Sequence, residues 1–227
     1  MNQPLPVSAL ANTAEIFLGR QPILDHKKQI IAFELLFRSK ASLDDADVSD
    51  DLLATSTVIV NTLSQFGLEQ VLGNKLGFLN VSASLLLSET VNLLPPERIV
   101  LEILEDVPIN AQIIARCQQL KDMGFRLALD DFEYRSEYDA LFPLIDYVKI
   151  DLTITPVAKL PEIIKFLRKV TSAKLIAEKV EEEALFQQCK DLDFDAYQGF
   201  FFAKPTLLKG KKPQPHQTTL MRVMGEL

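Results

Sequence analysis

The sequence predicts an α/β protein built as a (β/α)8 barrel, and three observations lead to this fold. Short apolar runs alternate with longer segments of helical pattern from about residue 16 to residue 205. Strands that alternate with helices form parallel sheets. Seven or eight such units fit within this length, which favours a closed barrel over an open sheet. The third observation is that the chain has few glycines, with no glycine-rich phosphate loop.

The last observation weakens the main alternative, a doubly wound open sheet. That fold usually carries a glycine-rich phosphate loop after its first strand. The chain has only eight glycines and contains neither GxGxxG nor GxxxxGK[ST]. The barrel is therefore the preferred prediction.

The predicted strands are seven apolar runs bounded by polar or turn-forming residues. They are IIAFELLF (30–37), LGFLNV (76–81), RIVLEIL (98–104), RLALDD (126–131), YVKID (147–151), KLIAEKV (174–180) and DAYQGFFF (195–202). The segments between them that we assign to helices are 51–68, 110–125, 158–172 and 181–194. The last three place apolar residues at spacings of three and four, which is typical of amphipathic helices.

We expect the barrel to occupy residues 15–207, between a flexible tail at 1–14 and a different segment at 208–227. This last segment begins with a polar, proline-containing linker and continues as TLMRVMGEL (219–227). An apolar helical face is predicted there, formed by Leu220, Val223, Met224 and Leu227. Such a face should pack against a following domain or back onto the barrel.

Composition and charge exclude several classes of protein. The net charge is −7, and no cluster of lysine and arginine with interleaved aromatic residues occurs, which argues against a nucleic-acid partner. No signal peptide and no stretch of about 18 apolar residues is present, so we expect a cytoplasmic protein with no membrane partner. Cys117 and Cys189 fall in predicted helices, where buried free thiols are expected rather than a disulfide.

Polar side chains lie at or near the carboxyl end of each predicted strand, where parallel barrels build their sites. They are Glu34, Asn80, Glu102, Asp130, Asp131, Lys149, Asp151, Glu178 and Gln198. Taken alone, Asp131 or Asn80 could equally cap a following helix, and Lys149 could be a solvated or ion-paired lysine. Glu34 and Glu102 lie inside strongly apolar strands, where an unpaired carboxylate is costly to bury. A metal ion or another cation should hold their charge.

Five of these six carboxylates and one of the two amide oxygens, from five strands, should meet at one mouth, where they would repel each other without cations. Mg²⁺ and Mn²⁺ prefer oxygen ligands, whereas zinc is not expected with only two histidines and no CxxC. The adjacent Asp130 and Asp131 can serve two ions, and two ions roughly 3.5–4 Å apart stabilise in-line phosphoryl displacement. Lys149 could then orient the attacking water or neutralise developing charge.

These residues, in this order, resemble the EAL family of cyclic di-GMP phosphodiesterases. The resemblance runs from about residue 16 to residue 205 and depends on eight short motifs. They are RQPILD (20–25), FELLFR (33–38), FLNVS (78–82), LEILE (101–105), LALDDF (127–132), DYVKID (146–151), AEKVE (177–181) and YQGFFFAKP (197–205). No single motif is specific, but the ordered set is.

The resemblance implies a modified TIM barrel that binds cyclic di-GMP and hydrolyses it to linear pGpG with two Mg²⁺ or Mn²⁺ ions. It implies six metal ligands: Glu34, Asn80, Glu102 and Asp130 on the first ion, and Asp130, Asp131 and Glu178 on the second. The catalytic residues that it implies are Glu34, Asp131 and Lys149, the last in contact with the attacking water. Five residues would bind the nucleotide: Gln21, Leu36, Arg38, Glu181 and Gln198.

The chain departs from the family pattern in three places. The signature tripeptide is Glu34-Leu35-Leu36 instead of Glu-Ala-Leu, which keeps the ligand. The small Gly/Thr/Ser loop that follows DDFG in the family is replaced by Glu133-Tyr134-Arg135. Lys179 stands where the family's AEGVE has glycine. The alternative to an enzyme is therefore an inactive cyclic di-GMP receptor or an interaction scaffold.

The C-terminal sequence extends the resemblance to one branch of the family. KPTLLKGKKPQP and TLMRVMGEL are similar to the junction that leads into an HDOD domain in EAL–HDOD proteins. We therefore expect a C-terminal HDOD domain as a partner of the barrel, in a chain of which this sequence is a fragment or truncated form. The resemblance also implies a homodimer, formed through the helix near the altered loop.

Overall fold

Nine strands form one sheet in the computed structural model, which describes residues 16–39 and 67–209. The strands are β1 (Ile16–Leu24), β2 (Ile30–Ser39), β3 (Leu76–Val81), β4 (Ile99–Ile103), β5 (Arg126–Leu129), β6 (Tyr147–Asp151), β7 (Lys174–Glu178), β8 (Ala196–Tyr197) and β9 (Thr206–Lys209). The α-helices of the described residues are α1 (Leu68–Leu72), α2 (Ala83–Leu87), α3 (Ala111–Asp122), α4 (Leu160–Val170) and α5 (Glu183–Asp191). The predictions for residues 1–14, 51–66 and 210–227 lie outside the described residues.

The sheet closes into an eight-stranded barrel. Strands β2 to β8 each pair in parallel with the next, and β1 completes the circle between β8 and β2. β9 pairs with β1 outside the circle, from Arg20↔Thr206 to Phe17↔Lys209. The predicted modified TIM barrel is confirmed, and β9 extends two residues beyond the predicted end of the barrel domain.

One strand departs from the parallel arrangement that the sequence predicts. β1 is antiparallel to both of its neighbours, so the run at 30–37, predicted as the first strand, is the second. No helix separates β1 from β2, because the chain reverses in a tight turn whose Asp25 carboxylate accepts hydrogen bonds from the N–H groups of Lys27 (2.8 Å) and Gln29 (2.9 Å). A two-strand hairpin with so short a connection must be antiparallel.

The last predicted strand is much shorter than its apolar run. The run 195–202 forms only the two-residue β8, because the chain turns away at Gly199. A Cβ atom at Gly199 would lie 2.0 Å from the carbonyl oxygen of Val180, so this position has no room for a side chain. The other boundaries agree closely: β3 and β6 begin and end as predicted, and α3, α4 and α5 lie within the predicted helical segments.

Two apolar cores stabilise the barrel. The larger core packs strands against the surrounding helices, and it buries Cys117 and Cys189 as the predicted free thiols. A smaller core fills the inside of the barrel with seven buried side chains: Ile23, Ala32, Phe78, Val100, Ala128, Ile176 and Ala196. Tyr147 packs against this inner core. Among the described residues, no helix is long and apolar enough to cross a membrane.

Candidate active site

The inside of the barrel consists of an apolar layer followed by a polar layer. Side chains two positions apart on a strand face the same side, so the residue two positions after each inner-core residue also faces inward. Seven polar residues on or just after β2 to β8 occupy such positions, and we call them the polar layer: Glu34, Asn80, Glu102, Asp130, Lys149, Glu178 and Gln198. Six of them follow an inner-core residue, and Lys149 follows Tyr147, which packs against that core. Six of these seven positions are polar residues predicted at strand ends to bind metal ions or to act in catalysis. The seventh, Gln198, was predicted to bind the nucleotide.

Lys149 lies at the centre of the polar layer, with 1% of its side chain exposed. Its Nζ atom is 2.6 Å from an oxygen of Glu102, 2.8 Å from Asp130, 2.9 Å from Glu178 and 3.7 Å from Glu34. The Asp130 contact is a hydrogen bond donated by the lysine. The cation that the buried glutamates require is therefore supplied by the chain itself in this structure, and Lys149 is not a solvated lysine.

The polar layer still contains oxygen atoms without hydrogen-bond partners. Both carboxylate oxygens of Glu102, the amide oxygen of Asn80 and that of Gln198 are buried and accept no hydrogen bond. The short contact between Glu102 and Lys149 is an ion pair outside hydrogen-bond geometry. Buried oxygens are normally satisfied, and a group of unsatisfied ones indicates an additional ligand. An all-oxygen donor set of this kind fits Mg²⁺ or Mn²⁺.

Burial and mutual repulsion perturb the acidic groups. Burial raises the pKa of Glu102 well above its usual value, although the Lys149 charge acts in the opposite direction. Burial raises the pKa of Glu178 to about 7, again against the effect of Lys149 and with a contribution from Asp130. Burial alone would lower the pKa of Lys149, but Glu102 and its acidic neighbours raise it well above its usual value. The lysine is therefore firmly cationic, whereas Glu102 and Glu178 hold their protons more strongly than in water.

A second acidic group lies beside the polar layer. Carboxylate oxygens of Glu105, Asp130 and Asp131 lie within 4.8 Å of one another. Burial, followed by repulsion from Asp130 and Asp151, raises the pKa of Asp131 to about 6. The sequence predictions gave Glu105 no role, although the motif LEILE (101–105) places it three residues after Glu102.

The capping alternative does not describe Asn80 or Asp131. Ser82 caps α2, and the first helical residues after Asp131 begin only at Ser136, after Arg135. Asp131 also has a φ of 39°, in the left-handed region that non-glycine residues rarely adopt. Asp151, another carboxylate at the mouth, instead accepts hydrogen bonds from the N–H and hydroxyl groups of Thr153, both at 2.6 Å.

Three of the five residues predicted to bind the nucleotide, Gln21, Leu36 and Gln198, lie close to Glu34. Gln21 pairs with Glu34 across the β1–β2 ladder, and Leu36 lies two positions further along β2. Gln198 donates a hydrogen bond of 2.5 Å to Glu34. Glu181 is exposed three residues after Glu178. Arg38 belongs to β2, but its side chain lies outside the described part of the chain.

Residues 132–146 lead from Asp131 to β6, and we call this segment the β5–β6 connection. Aromatic packing holds it in place. The Phe132 ring packs against Tyr138 and Phe142, with ring centroids 5.7 and 6.2 Å apart. The guanidinium group of Arg135 donates a hydrogen bond of 2.6 Å to the carbonyl oxygen of Glu105, and it also contacts Tyr138. The altered loop is therefore tied directly to Glu105, a member of the second acidic group.

Tyr134 occupies the outer face of this connection. Its side chain is half exposed and its ring packs edge-on against Phe166 of α4 at 4.9 Å between centroids. A cavity of about 460 Å³ lies beside these two rings, and Ile154, Thr155 and Lys159 line its other side. This cavity lies on the outside of the barrel and does not include the polar layer.

Lys179 is exposed and has a φ of 56°, a conformation that favours glycine. Hydrogen bonds fix the neighbouring Val180 on both sides, since its N–H donates to Gln198 (3.0 Å) and its carbonyl accepts from Phe201 (3.1 Å). The surrounding backbone therefore imposes this strained conformation on the residue that replaces the family's glycine.

Fold and site together define a β/α barrel with one antiparallel strand and an acidic, oxygen-lined mouth. The EAL domain family matches residues 8–205, which is most of the chain. The chain therefore belongs to the EAL domain family.

Sequence relatives agree with this assignment. The chain is 34% identical over 218 residues to the uncharacterized protein YuxH of Bacillus subtilis and 31% identical over 212 residues to the cyclic di-GMP phosphodiesterase CdgJ of Vibrio cholerae. Both matches cover 93% of this chain, but only 53% of YuxH and 49% of CdgJ. The chain thus spans about half the length of these relatives.

The fold is similar to solved EAL structures. BlrP1 of Klebsiella pneumoniae, in a manganese and cyclic di-GMP complex, superposes with a TM-score of 0.72 at 20% identity. The match covers 91% of this chain and 59% of that protein. At this identity the likeness establishes the barrel fold alone.

Proposed function

We propose that this protein is a metal-dependent phosphodiesterase that hydrolyses cyclic di-GMP to linear pGpG. The observation that carries the proposal is the polar layer, in which the implied ligands converge and leave buried oxygens without partners. A likeness to CdgJ, a cyclic di-GMP phosphodiesterase, supports the choice of substrate.

The six implied ligands divide between two ions. Glu34, Asn80, Glu102 and Asp130 would hold one ion, while Asp130, Asp131 and Glu178 would hold the second. When bound, Mg²⁺ or Mn²⁺ ions would supply positive charge to activate water and to stabilise in-line displacement at phosphorus. Lys149 would add a positive charge beside the phosphate, where charge develops in the transition state.

The remaining residues orient the substrate. Gln198 fixes the carboxylate of Glu34 by donating a hydrogen bond, so that this ligand is held in one orientation. Gln21 and Leu36 line the same face of the β1–β2 hairpin toward the mouth, with Arg38 at the end of β2. Glu181 and Gln198 would complete the nucleotide pocket.

The experiment combines product analysis with binding. Purified protein is incubated with cyclic di-GMP and either Mg²⁺ or Mn²⁺, and pGpG is followed by chromatography while calorimetry measures nucleotide binding. We expect pGpG to form with either ion. Its formation should stop when a chelator is added. Binding without any product would refute the enzyme and leave the receptor.

A specific observation favours the second candidate, an inactive receptor or scaffold. The β5–β6 connection directly follows Asp131 and is built from Glu133, Tyr134 and Arg135 rather than small residues. Aromatic packing of Phe132 on Tyr138 and of Tyr134 on Phe166 holds this connection, where the resemblance implies a small, flexible loop. The absence of both binding and product in the same experiment would identify a scaffold.

The proposed partners extend beyond the described residues. The proposal includes a C-terminal HDOD domain that follows the linker and helix expected at 208–227, a segment similar to the junction in EAL–HDOD proteins. A homodimer formed through the face near the β5–β6 connection is also part of it. Sedimentation of the chain with and without its C-terminal continuation would measure both.

A further inference from the structure

Lys149 occupies a position that a metal ion would also require. Its ammonium group lies within 3 Å of Glu102, Asp130 and Glu178, which are three of the implied metal ligands. A divalent ion held by the same oxygens would stand at a similar distance from them, at about 2.0–2.6 Å. The ammonium group and the ion therefore cannot keep all of these contacts at once.

The lysine satisfies this acidic cluster incompletely. It carries one positive charge among four carboxylates, and an ammonium group has three N–H donors. Glu34 is left at 3.7 Å from Nζ, and both oxygens of Glu102 lack a hydrogen bond. A divalent ion carries twice the charge and accepts six or more oxygen ligands, so it neutralises the cluster better.

The lysine is nevertheless essential while no metal ion is bound. Glu102 is fully buried and Glu34 and Glu178 nearly so, and without a cation their repulsion would oppose folding. We propose that Lys149 is the internal counter-ion of the metal-free barrel, and that metal binding displaces its ammonium group from Glu102, Asp130 and Glu178. This inference rests on the metal-binding part of the proposed function, but not on hydrolysis.

Displacement gives Lys149 two successive roles. Without metal it holds the polar layer together, and after metal binding its ammonium group is released toward the mouth, where the phosphate of the substrate would bind. The cost of removing the lysine from its carboxylates lowers the apparent metal affinity. Lys149 is thus a competitor of the metal ion as well as a group that contacts substrate.

The test compares Lys149→Met with Lys121→Met. Methionine keeps the length and burial of the lysine stem but removes its charge. Lys121 forms an ion pair of 2.6 Å with Asp146 outside the polar layer, so its substitution makes the same change in net charge elsewhere. Calorimetry with MnCl₂ alone, and thermal unfolding with chelator or with MnCl₂, are measured on both variants and on the unsubstituted protein.

We expect Lys149→Met to bind Mn²⁺ at least about tenfold more tightly, since a competing charge is removed. In chelator it should melt about 10 °C lower than the unsubstituted protein, and MnCl₂ should restore most of this difference. Lys121→Met should show unchanged Mn²⁺ affinity. Equal or weaker Mn²⁺ binding by Lys149→Met would overturn the inference. Where this variant folds only with Mn²⁺, the affinity is obtained by titrating chelator into the metal-bound form.

If Lys149→Met does not fold at all, a measurement on the unsubstituted chain still tests the inference. Buried, paired ammonium groups exchange their protons slowly, so Lys149 should give a distinct side-chain signal in the NMR spectrum of the chain labelled with ¹⁵N-lysine. This signal should persist in Lys121→Met. MgCl₂ should shift or remove this signal in proportion to binding. A signal that stays unchanged at saturating Mg²⁺ would show that the lysine does not move. Because these measurements use metal ions without nucleotide, they test the inference even if the protein does not hydrolyse cyclic di-GMP.

Discussion

The polar layer and the β5–β6 connection lie next to each other but are built in different ways. The polar layer comes from regular strands, and all members except Lys149 follow an inner-core residue by two positions, from Ala32 and Glu34 to Ala196 and Gln198. The β5–β6 connection is held by contacts between side chains, such as Phe132 with Tyr138 and Arg135 with Glu105. The comparison suggests that the strands determine whether the site can work, whereas the connection adjusts how well it works.

The largest effect is expected from a substitution inside the polar layer. Glu102→Gln keeps the shape of a fully buried side chain but removes the charge that would hold a metal ion. Loss of an outer-shell partner typically costs 10–100-fold, so loss of a ligand should lower turnover by more than about 100-fold. The measurement is pGpG formation at saturating Mn²⁺.

A matched substitution controls for the loss of one acid. Glu105→Gln makes the same chemical change three residues away, at an exposed carboxylate, and should lower turnover less than Glu102→Gln does. Equal losses in the two variants would remove the distinction between the polar layer and its surroundings.

The next effect is expected where the two regions meet. Asp131→Asn should weaken the second ion and lower turnover by roughly 100-fold, while much of the cyclic di-GMP binding is retained. Turnover is measured by chromatography and binding by calorimetry. Retained turnover would show that the assignment of Asp131 to a second ion is wrong.

A smaller loss is expected from the β5–β6 connection itself. Arg135→Ala removes the hydrogen bond to the carbonyl oxygen of Glu105 and the contact with Tyr138, so the backbone beside Asp131 loses a support. We expect turnover to fall by about tenfold, as for an outer-shell residue. Arg135→Lys keeps a donor and should recover part of this loss. A loss as large as that of Glu102→Gln would contradict the order proposed for the two regions.

The stability of the metal-free protein should depend on pH through the acidic groups. Burial raises the pKa of Glu178 to about 7 and that of Asp131 to about 6, above their values in the unfolded chain. The folded state then binds more protons, so the free energy of unfolding falls as pH rises from about 4 to about 7. In chelator we expect a melting temperature on the order of 5 °C lower at pH 8 than at pH 5. A higher melting temperature at pH 8 would contradict this.

The smallest effect is expected at Lys179. Glycine would relieve the strain of its positive φ but would also enlarge the conformational freedom of the unfolded chain. We expect a net gain of about 1 kcal/mol, or about 2–4 °C in melting temperature. Asp193→Gly, at a φ of 64° after α5, is a control for the same backbone change away from the mouth. A lower melting temperature for Lys179→Gly would show that the lysine side chain itself stabilises the mouth.

The sequence predicted the barrel and the members of the polar layer because both depend on local periodicity. A polar residue two positions after an apolar inward residue is visible in the letters, as in Val100 and Glu102. The antiparallel β1 was not predicted, because its turn at residues 25–29 contains no glycine or proline and is formed by the Asp25 side chain.

The detailed geometry of the site depends on distant contacts and was beyond a sequence pattern. The sequence could not show that Lys149 reaches four carboxylates from four other strands. It also gave no signal for Arg135, which is exposed and contacts Glu105, a residue 30 positions earlier in the chain. Such contacts are determined by packing across the barrel and not by the spacing of neighbouring residues.

The rate of pGpG formation by the unsubstituted chain, Glu102→Gln and Arg135→Ala at saturating Mn²⁺ tests the central claim most directly. The claim is that the polar layer makes the site competent and the β5–β6 connection only adjusts it. It predicts metal-dependent turnover by the unsubstituted chain, a loss of about tenfold in Arg135→Ala and a loss of more than about 100-fold in Glu102→Gln. Absence of turnover in the unsubstituted chain, or an equal loss in both variants, would contradict it.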